Sequence, residues 1–146
     1  MTDPVTVWRL NARRFAGAAL SGGGASRYGG RWNLPGTRVV YCSGSRALAA
    51  LEALVHVEDL GDLGAVEWQA TAILLPGDGI ERPIRYPASW KTYPHSLTTQ
   101  RFGSAWVERR RSVALRVPSA VVLGEFNFLV NPTHPDFAKI GFLKTI

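Results

Sequence analysis

A glycine-flanked basic segment that runs straight into a strand and then a helix governs what this chain can become. Residues 26–52 read SRYGGRWNLPGTRVVYCSGSRALAALE. Gly22, Gly23, Gly24, Gly29 and Gly30 surround Arg27 and Arg31, so the backbone there can bend tightly and approach a ligand closely. The run RVVYC is β-branched and aromatic, which predicts a strand with Val39 and Tyr41 on one face and Val40 and Cys42 on the other. Ser43 or Ser45 is placed to cap a helix starting near Arg46. On that helix Leu48, Leu51 and Val55 form an apolar stripe that should face the core, with Glu52 on its border. Three consecutive elements thus supply an arginine, an aromatic ring and a carboxylate.

The glycines do not make a phosphate-cradling loop of either common kind. A P-loop needs Lys-Ser or Lys-Thr after its last glycine, and Arg31-Trp32 stands there instead. The dinucleotide fingerprint needs a helix after the loop, where RVVYC predicts a strand. Any phosphate is therefore held by arginine, whose planar fork matches phosphate oxygens in pairs.

Around this segment the chain reads as many short strands with a few helices. VTVWRL alternates as an opening strand with Val5, Val7 and Arg9 on one face. Arg9 reads equally as a solvated edge residue and as an arginine on the floor of a site. Residues 11–20 are weakly helical, and the glycine-rich stretch after them reads as a turn. Glu58, Asp59 and Asp62 mark an acidic exit from the second helix, followed by the turn GDLG. Next comes the longest strand candidate, with Val66, Trp68, Ala70, Ala72 and Leu74 alternating against Glu67, Gln69, Thr71 and Ile73. Prolines break residues 76–94 into a loop; Trp90, Tyr93 and His95 form either a cap over the core or a lid over a ligand. Residues 96–111 read as a helix and SVALRV as a strand ending at Pro118. VVLGEFNFLVNP is a further extended run broken at Gly124, and the tail is placed to close a sheet edge. The pattern predicts an α+β fold: one compact domain over residues 1–146, with mixed, mostly antiparallel strands.

Composition excludes several function classes. Of the 146 residues, 46% are hydrophobic and 10% aromatic, too many for a disordered chain. One cysteine cannot form an internal disulfide, and no signal peptide or membrane-length apolar run is present, so a cytoplasmic protein is expected. The net charge of +6 is scattered. Its densest run, Arg109 to Arg111, ends a helix, where cations suit the carbonyl end. That pattern speaks for a small anionic ligand or an acidic protein partner rather than direct nucleic-acid binding.

The chemistry available is narrow. His56, His95 and His134 lie far apart and no pair has metal-ligand spacing, so no metal is expected. His134 reads as a loop hydrogen-bonder. Cys42 reads as a buried free thiol rather than a nucleophile, and no G-x-S-x-G elbow occurs. What remains is arginine, tyrosine and glutamate. That set suits cleavage at an anomeric carbon whose leaving group is already cationic, and NAD is such a substrate. Nicotinamide departs neutral, so no general acid is needed, and one carboxylate can stabilise the oxocarbenium-like centre. Arginine would hold the pyrophosphate, and a tyrosine face could stack on nicotinamide.

Six pieces of the chain together resemble the RES domain family, the toxin half of RES-Xre toxin–antitoxin modules. They are WRL at 8–10, RYGGRWN at 27–33, VVYCS at 39–43, ALAALEALVH at 47–56, LRVPSAVV at 115–122 and NFLVNPTHPDF at 127–137. The resemblance implies a fold similar to ADP-ribosyltransferase toxins, with NAD consumed as substrate and no further cofactor. NAD would be hydrolysed or phosphorolysed, causing growth arrest, or its ADP-ribose would be transferred to a protein. The family's arginine falls on Arg31, with Arg27 as the alternative, and its glutamate on Glu52. Its serine falls on Ser119, with Ser43 as competitor, and Tyr41 matches the family's tyrosine. The implied NAD-binding set is Arg9, Arg27, Tyr28, Ser43, Ser119 and Asn127, with Arg31, Tyr41 and Glu52 catalytic. The implied partner is an Xre-type antitoxin that blocks the site. Only nine residues follow NPTHPDF, which favours small acceptors over a protein target.

Overall fold

A computed structural model describes residues 3–13, 20–55 and 67–145. Of the weakly helical stretch expected over residues 11–20, Asn11 and Ala12 instead extend the first strand, because they pair with Gln69 and Trp68. Residues 14–19, His56, the acidic exit, the GDLG turn and Val66 lie outside the described residues. Among the described residues seven strands form one sheet: β1 (Val5–Ala12), β2 (Val40–Ser43), β3 (Trp68–Leu75), β4 (Ile80–Glu81), β5 (Ala114–Pro118), β6 (Phe126–Val130) and β7 (Gly141–Thr145), in the order β4-β5-β6-β2-β1-β3-β7. Every pairing is antiparallel except β4 with β5. Among the described residues three α-helices accompany it: α1 (Gly23–Tyr28), α2 (Arg46–Leu54) and α3 (Leu97–Arg109). The α+β architecture is the one expected, and β7 closes the edge beside β3 as the tail pattern predicted.

The period-two reading of RVVYC holds. Val40 and Cys42 join one core with Val7, Ile73, Leu75 and Phe128. Val39 and Tyr41 face the other, built on Trp32, Trp106, Leu115, Val117 and Leu129. The sheet is thus sandwiched between two apolar clusters. β3 alternates as read but is covered on both faces, since Ala70 and Ala72 are buried as well as Ile73 and Leu75. Trp90 packs against the Trp32 cluster as a cap, whereas Tyr93 is 81% exposed.

One join in the sheet is weak. β1 pairs with β3 over its whole length, and β2 pairs with β6 at all four positions. Between β1 and β2 a single pair remains, Trp8 opposite Ser43. Beyond it the strands part, and Arg9 spans the gap by donating from Nη1 to the Tyr41 carbonyl at 2.9 Å. A guanidinium thereby satisfies a carbonyl that a continuous ladder would have bonded.

Two local expectations are corrected. The glycine-rich stretch is not a simple turn: residues 23–28 form the short helix α1, entered through Gly22 at φ 72° and left through Gly29 at φ 74°. These left-handed positions bracket a helix too short to need strong formers. The second correction concerns α2, which Ser45 caps by accepting from the Leu48 amide at 3.0 Å. Its buried residues are Leu48 and Ala49, while Leu51 and Val55 are 42% and 55% exposed. The inward face is turned by about 100°, one residue's rotation, from the leucine stripe. Alanines at 49 and 53 let the helix sit close against the opening between β1 and β2, and Glu52 turns inward with them.

Candidate active site

The parted strands open into a cleft of about 680 Å³, within the size range of small-molecule sites. Arg9 and Trp8 come from β1, Tyr41 and Ser43 from β2, and Glu52 from α2. Asn127 comes from β6, Tyr28 from the end of α1, and Arg31 from the loop that follows.

Glu52 is the best-defined group. Its Oε1 accepts from Ser119 Oγ at 2.8 Å and from Asn127 Nδ2 at 2.6 Å. Asn127 Oδ1 in turn accepts from Ser43 Oγ at 2.8 Å. The Ser119 oxygen is held by the amides of Val121 and Val122, at 3.1 and 3.0 Å, in the turn after β5. The chain pins one carboxylate oxygen with two donors and turns the residue towards the cleft. Both serine candidates belong to this network, Ser119 touching Glu52 directly and Ser43 through Asn127.

Arg31 faces it. Nη1 donates to the carbonyls of Trp90 and Thr92, each at 2.9 Å, so the 90–92 loop fixes one edge of the guanidinium. Burial lowers the Arg31 pKa, while the charges of Glu52 and, less strongly, Tyr41 pull it back up. The two side chains therefore share one electrostatic field, yet no ion pair within 4.0 Å joins them. A positive and a negative group held apart leave room for a ligand that carries both charges.

Tyr41 presents its ring to the cleft and withdraws its hydroxyl. The hydroxyl donates to Asn33 Oδ1 at 2.6 Å and accepts from the Trp32 amide at 3.1 Å, and burial pushes its pKa up. Burial likewise pushes the Cys42 thiol up to about 12, so the buried cysteine is a neutral thiol. His134 accepts from the Asp136 amide at 2.9 Å through Nδ1, the loop role its position suggested. Among the described residues no group of three or more His, Cys, Asp or Glu could hold a metal ion. No described helix is long and apolar enough to cross a membrane.

The structure brings together Arg9, Tyr28, Arg31, Tyr41, Ser43, Glu52 and Asn127, with Ser119 directly behind Glu52. It leaves Arg27 out: that side chain is exposed, lies outside the cleft wall, and packs its guanidinium 5.9 Å from the Tyr28 ring centre. Of the two family-arginine positions, only Arg31 lines the cleft. Of the loop read as cap or lid, His95 lines the cleft. Two contributors escaped the sequence reading: Trp8 lines the cleft with Arg46 lying 5.3 Å from its ring centre, and Asn33 supports Tyr41. A half-buried tryptophan in an alternating strand carries no mark of a site, and Asn33 is 8 residues from its partner in a segment without a period.

The parted strands, the anchored Arg31 and the hydrogen-bonded Glu52 thus belong to one cleft. The chain belongs to the RES domain family, whose model matches residues 6–143. It is 39% identical over 144 residues to the Prs ADP-ribosylating toxin of Sphingobium sp. (strain YBL2), covering 95% of this chain and 89% of that one. It is 37% identical over 131 residues to the Toxin Res of Yersinia enterocolitica, covering 90% and 86%. In fold it is similar to the crystal structure of the M. tuberculosis MbcT-MbcA toxin-antitoxin complex. The TM-score is 0.70 at 16% identity, over 98% of this chain and 83% of that one.

Proposed function

We propose that this chain is the toxin of a toxin–antitoxin module and that it consumes NAD by breaking the nicotinamide–ribose bond. The observation that carries the reading is the Glu52 carboxylate. It is held at one oxygen by Ser119 and Asn127 and faces an arginine anchored to the 90–92 loop. As the bond breaks, nicotinamide leaves with the bonding pair and becomes neutral, and positive charge moves onto the ribose. A fixed carboxylate beside that carbon stabilises the charge as it develops, without reorganising. Arg31 grips the pyrophosphate with the part of its fork that the loop leaves open, and Arg9 lies on the cleft floor. The Tyr41 ring offers a face for nicotinamide. Water or phosphate then adds to the ribose carbon and loses a proton, giving ADP-ribose or its phosphorylated counterpart.

A second reading keeps the same first step and changes the acceptor to a protein side chain. The name of the Sphingobium relative, an ADP-ribosylating toxin, favours it. Incubating the purified chain with NAD, with and without phosphate, and identifying the products separates these outcomes. Free nicotinamide with ADP-ribose or a phosphorylated product is expected, and unchanged NAD under both conditions would overturn the reading. Arg31→Lys should weaken NAD binding by about 2 kcal/mol, the scale of a charged hydrogen bond, because an ammonium has no planar fork. Wild-type affinity in that variant would remove Arg31 from the pyrophosphate.

Such a toxin acts on the cytoplasmic NAD pool and needs neutralising in its own cell. An Xre-type antitoxin is the partner this reading requires, and the fold neighbour was solved as a toxin-antitoxin complex. Expression alone should arrest growth with loss of NAD, and co-expression of the antitoxin should restore both. Unimpaired growth with intact NAD would count against the toxin reading.

A further inference from the structure

Asn33 is fully buried, and nothing in the proposed reaction uses it. Its Nδ2 donates to three backbone carbonyls, those of Ala25 at 2.9 Å, Thr37 at 3.1 Å and Leu34 at 3.2 Å. Three acceptors around one atom fix it as the amide nitrogen, so the atom facing Tyr41 is the oxygen. That oxygen accepts the Tyr41 hydroxyl at 2.6 Å, and the same hydroxyl accepts the Trp32 amide. The Asn33 carbonyl accepts the Gly30 amide at 3.1 Å, closing an isolated bridge between residues 30 and 33. Arg31 is thus carried on a short loop with both ends and one interior amide bonded.

Space is as tightly set as the bonds. A Cβ on Gly30 would lie 2.7 Å from the Tyr41 hydroxyl oxygen and 3.0 Å from Asn33 Oδ1, so a side chain there would push into the pair. A phenol has one proton, and this one is given to Asn33. It has none left to give to a substrate in the cleft.

We propose that Asn33 and the Tyr41 hydroxyl form a positioning clamp that aims Arg31 into the cleft, and that Tyr41 meets the substrate through its ring alone. The inference rests on the reading in which Arg31 grips the anionic part of NAD. It assigns Asn33 and Gly30 to the site as positioning residues.

A double-mutant cycle with Tyr41→Phe and Arg31→Lys tests it, read by KM and kcat for NAD and by hydrogen exchange at the Trp32 amide. Tyr41→Phe keeps the ring and should raise KM about tenfold, the effect of about one lost hydrogen bond passed on through Arg31. Added to Arg31→Lys it should change KM less than about twofold, because residues acting through one another are non-additive. Trp32 amide exchange should quicken at least tenfold in Tyr41→Phe. Gly30→Ala, which retains the hydroxyl but crowds it, should show the same KM and exchange changes. Equal loss of kcat from Tyr41→Phe in both backgrounds, with KM and Trp32 exchange unchanged, would overturn the clamp and place the hydroxyl on the substrate. If the wild-type chain leaves NAD intact, the function reading fails. The exchange measurement then still decides the clamp, which unchanged protection in both variants would refute.

Discussion

Glu52→Gln should leave the protein folded and able to bind NAD while turnover falls by roughly two to three orders of magnitude, the cost of removing one preorganised stabilising group. The substitution keeps the shape of the side chain. A glutamine carbonyl can accept from Ser119 Oγ and Asn127 Nδ2 just as Oε1 does. What disappears is the negative charge, so the loss reports electrostatic stabilisation and not packing. Binding survives because Arg31, Arg9 and the Tyr41 ring lie on other elements. Melting temperature and cleavage rate on one preparation check both halves. A stable variant with near-normal cleavage would leave Glu52 a hydrogen-bonded wall residue with no part in the chemistry and require another mechanism.

Gly103→Ala should have the largest effect on stability. In α3 this glycine is buried against the backbone of Trp32, and an added Cβ would drive into the Trp32 carbonyl oxygen while lying 2.8 Å from its carbonyl carbon. Backbone against backbone has no rotamer to escape into. The expected cost is about 3 kcal/mol, the upper part of the range for overpacking. In a domain of this size that is a fall in Tm of roughly 6–12 °C. Activity should fall further than the folded fraction does. α3 also holds the Arg31 segment, through Gln100 Nε2 to the Gly30 carbonyl at 3.0 Å and the Leu34 amide to Ser104 Oγ at 2.9 Å. Thermal unfolding paired with NAD turnover per folded molecule checks this, and an unchanged Tm would show that α3 yields at this contact.

What was legible in the sequence followed from period and chemistry. Val39 and Tyr41 against Val40 and Cys42 was readable because a strand has a rigid period of two. Trp90 as a cap and Cys42 as an inert thiol followed from composition and neighbours. The inward face of α2 was misread because leucine is the stronger apolar signal, yet Ala49 and Ala53 are the α2 residues that line the cleft beside Glu52. α1 was missed because glycines predict a turn, and six residues of helix need little propensity once their ends are bonded. The Glu52–Ser119 contact spans 67 residues, and no spacing rule reaches that far. The family resemblance supplied that serine; local patterning did not. The parting of β1 from β2 is likewise invisible, since both strands read as ordinary alternating runs.

That parting gives any occupant a mechanical part to play. On one side stand β4, β5, β6 and β2, on the other β1, β3 and β7, laced together at Trp8 and Ser43 and strapped by Arg9. A molecule that touches Arg9 and Trp8 with one end and Arg31 or Asn127 with the other rivets the two half-sheets together. Substrate and inhibitor alike would stiffen the whole domain and not merely fill a hole, and each would raise the melting point by binding the folded chain and not the unfolded one. The seam that admits the ligand is also the place where the sheet's own hydrogen bonding is thinnest.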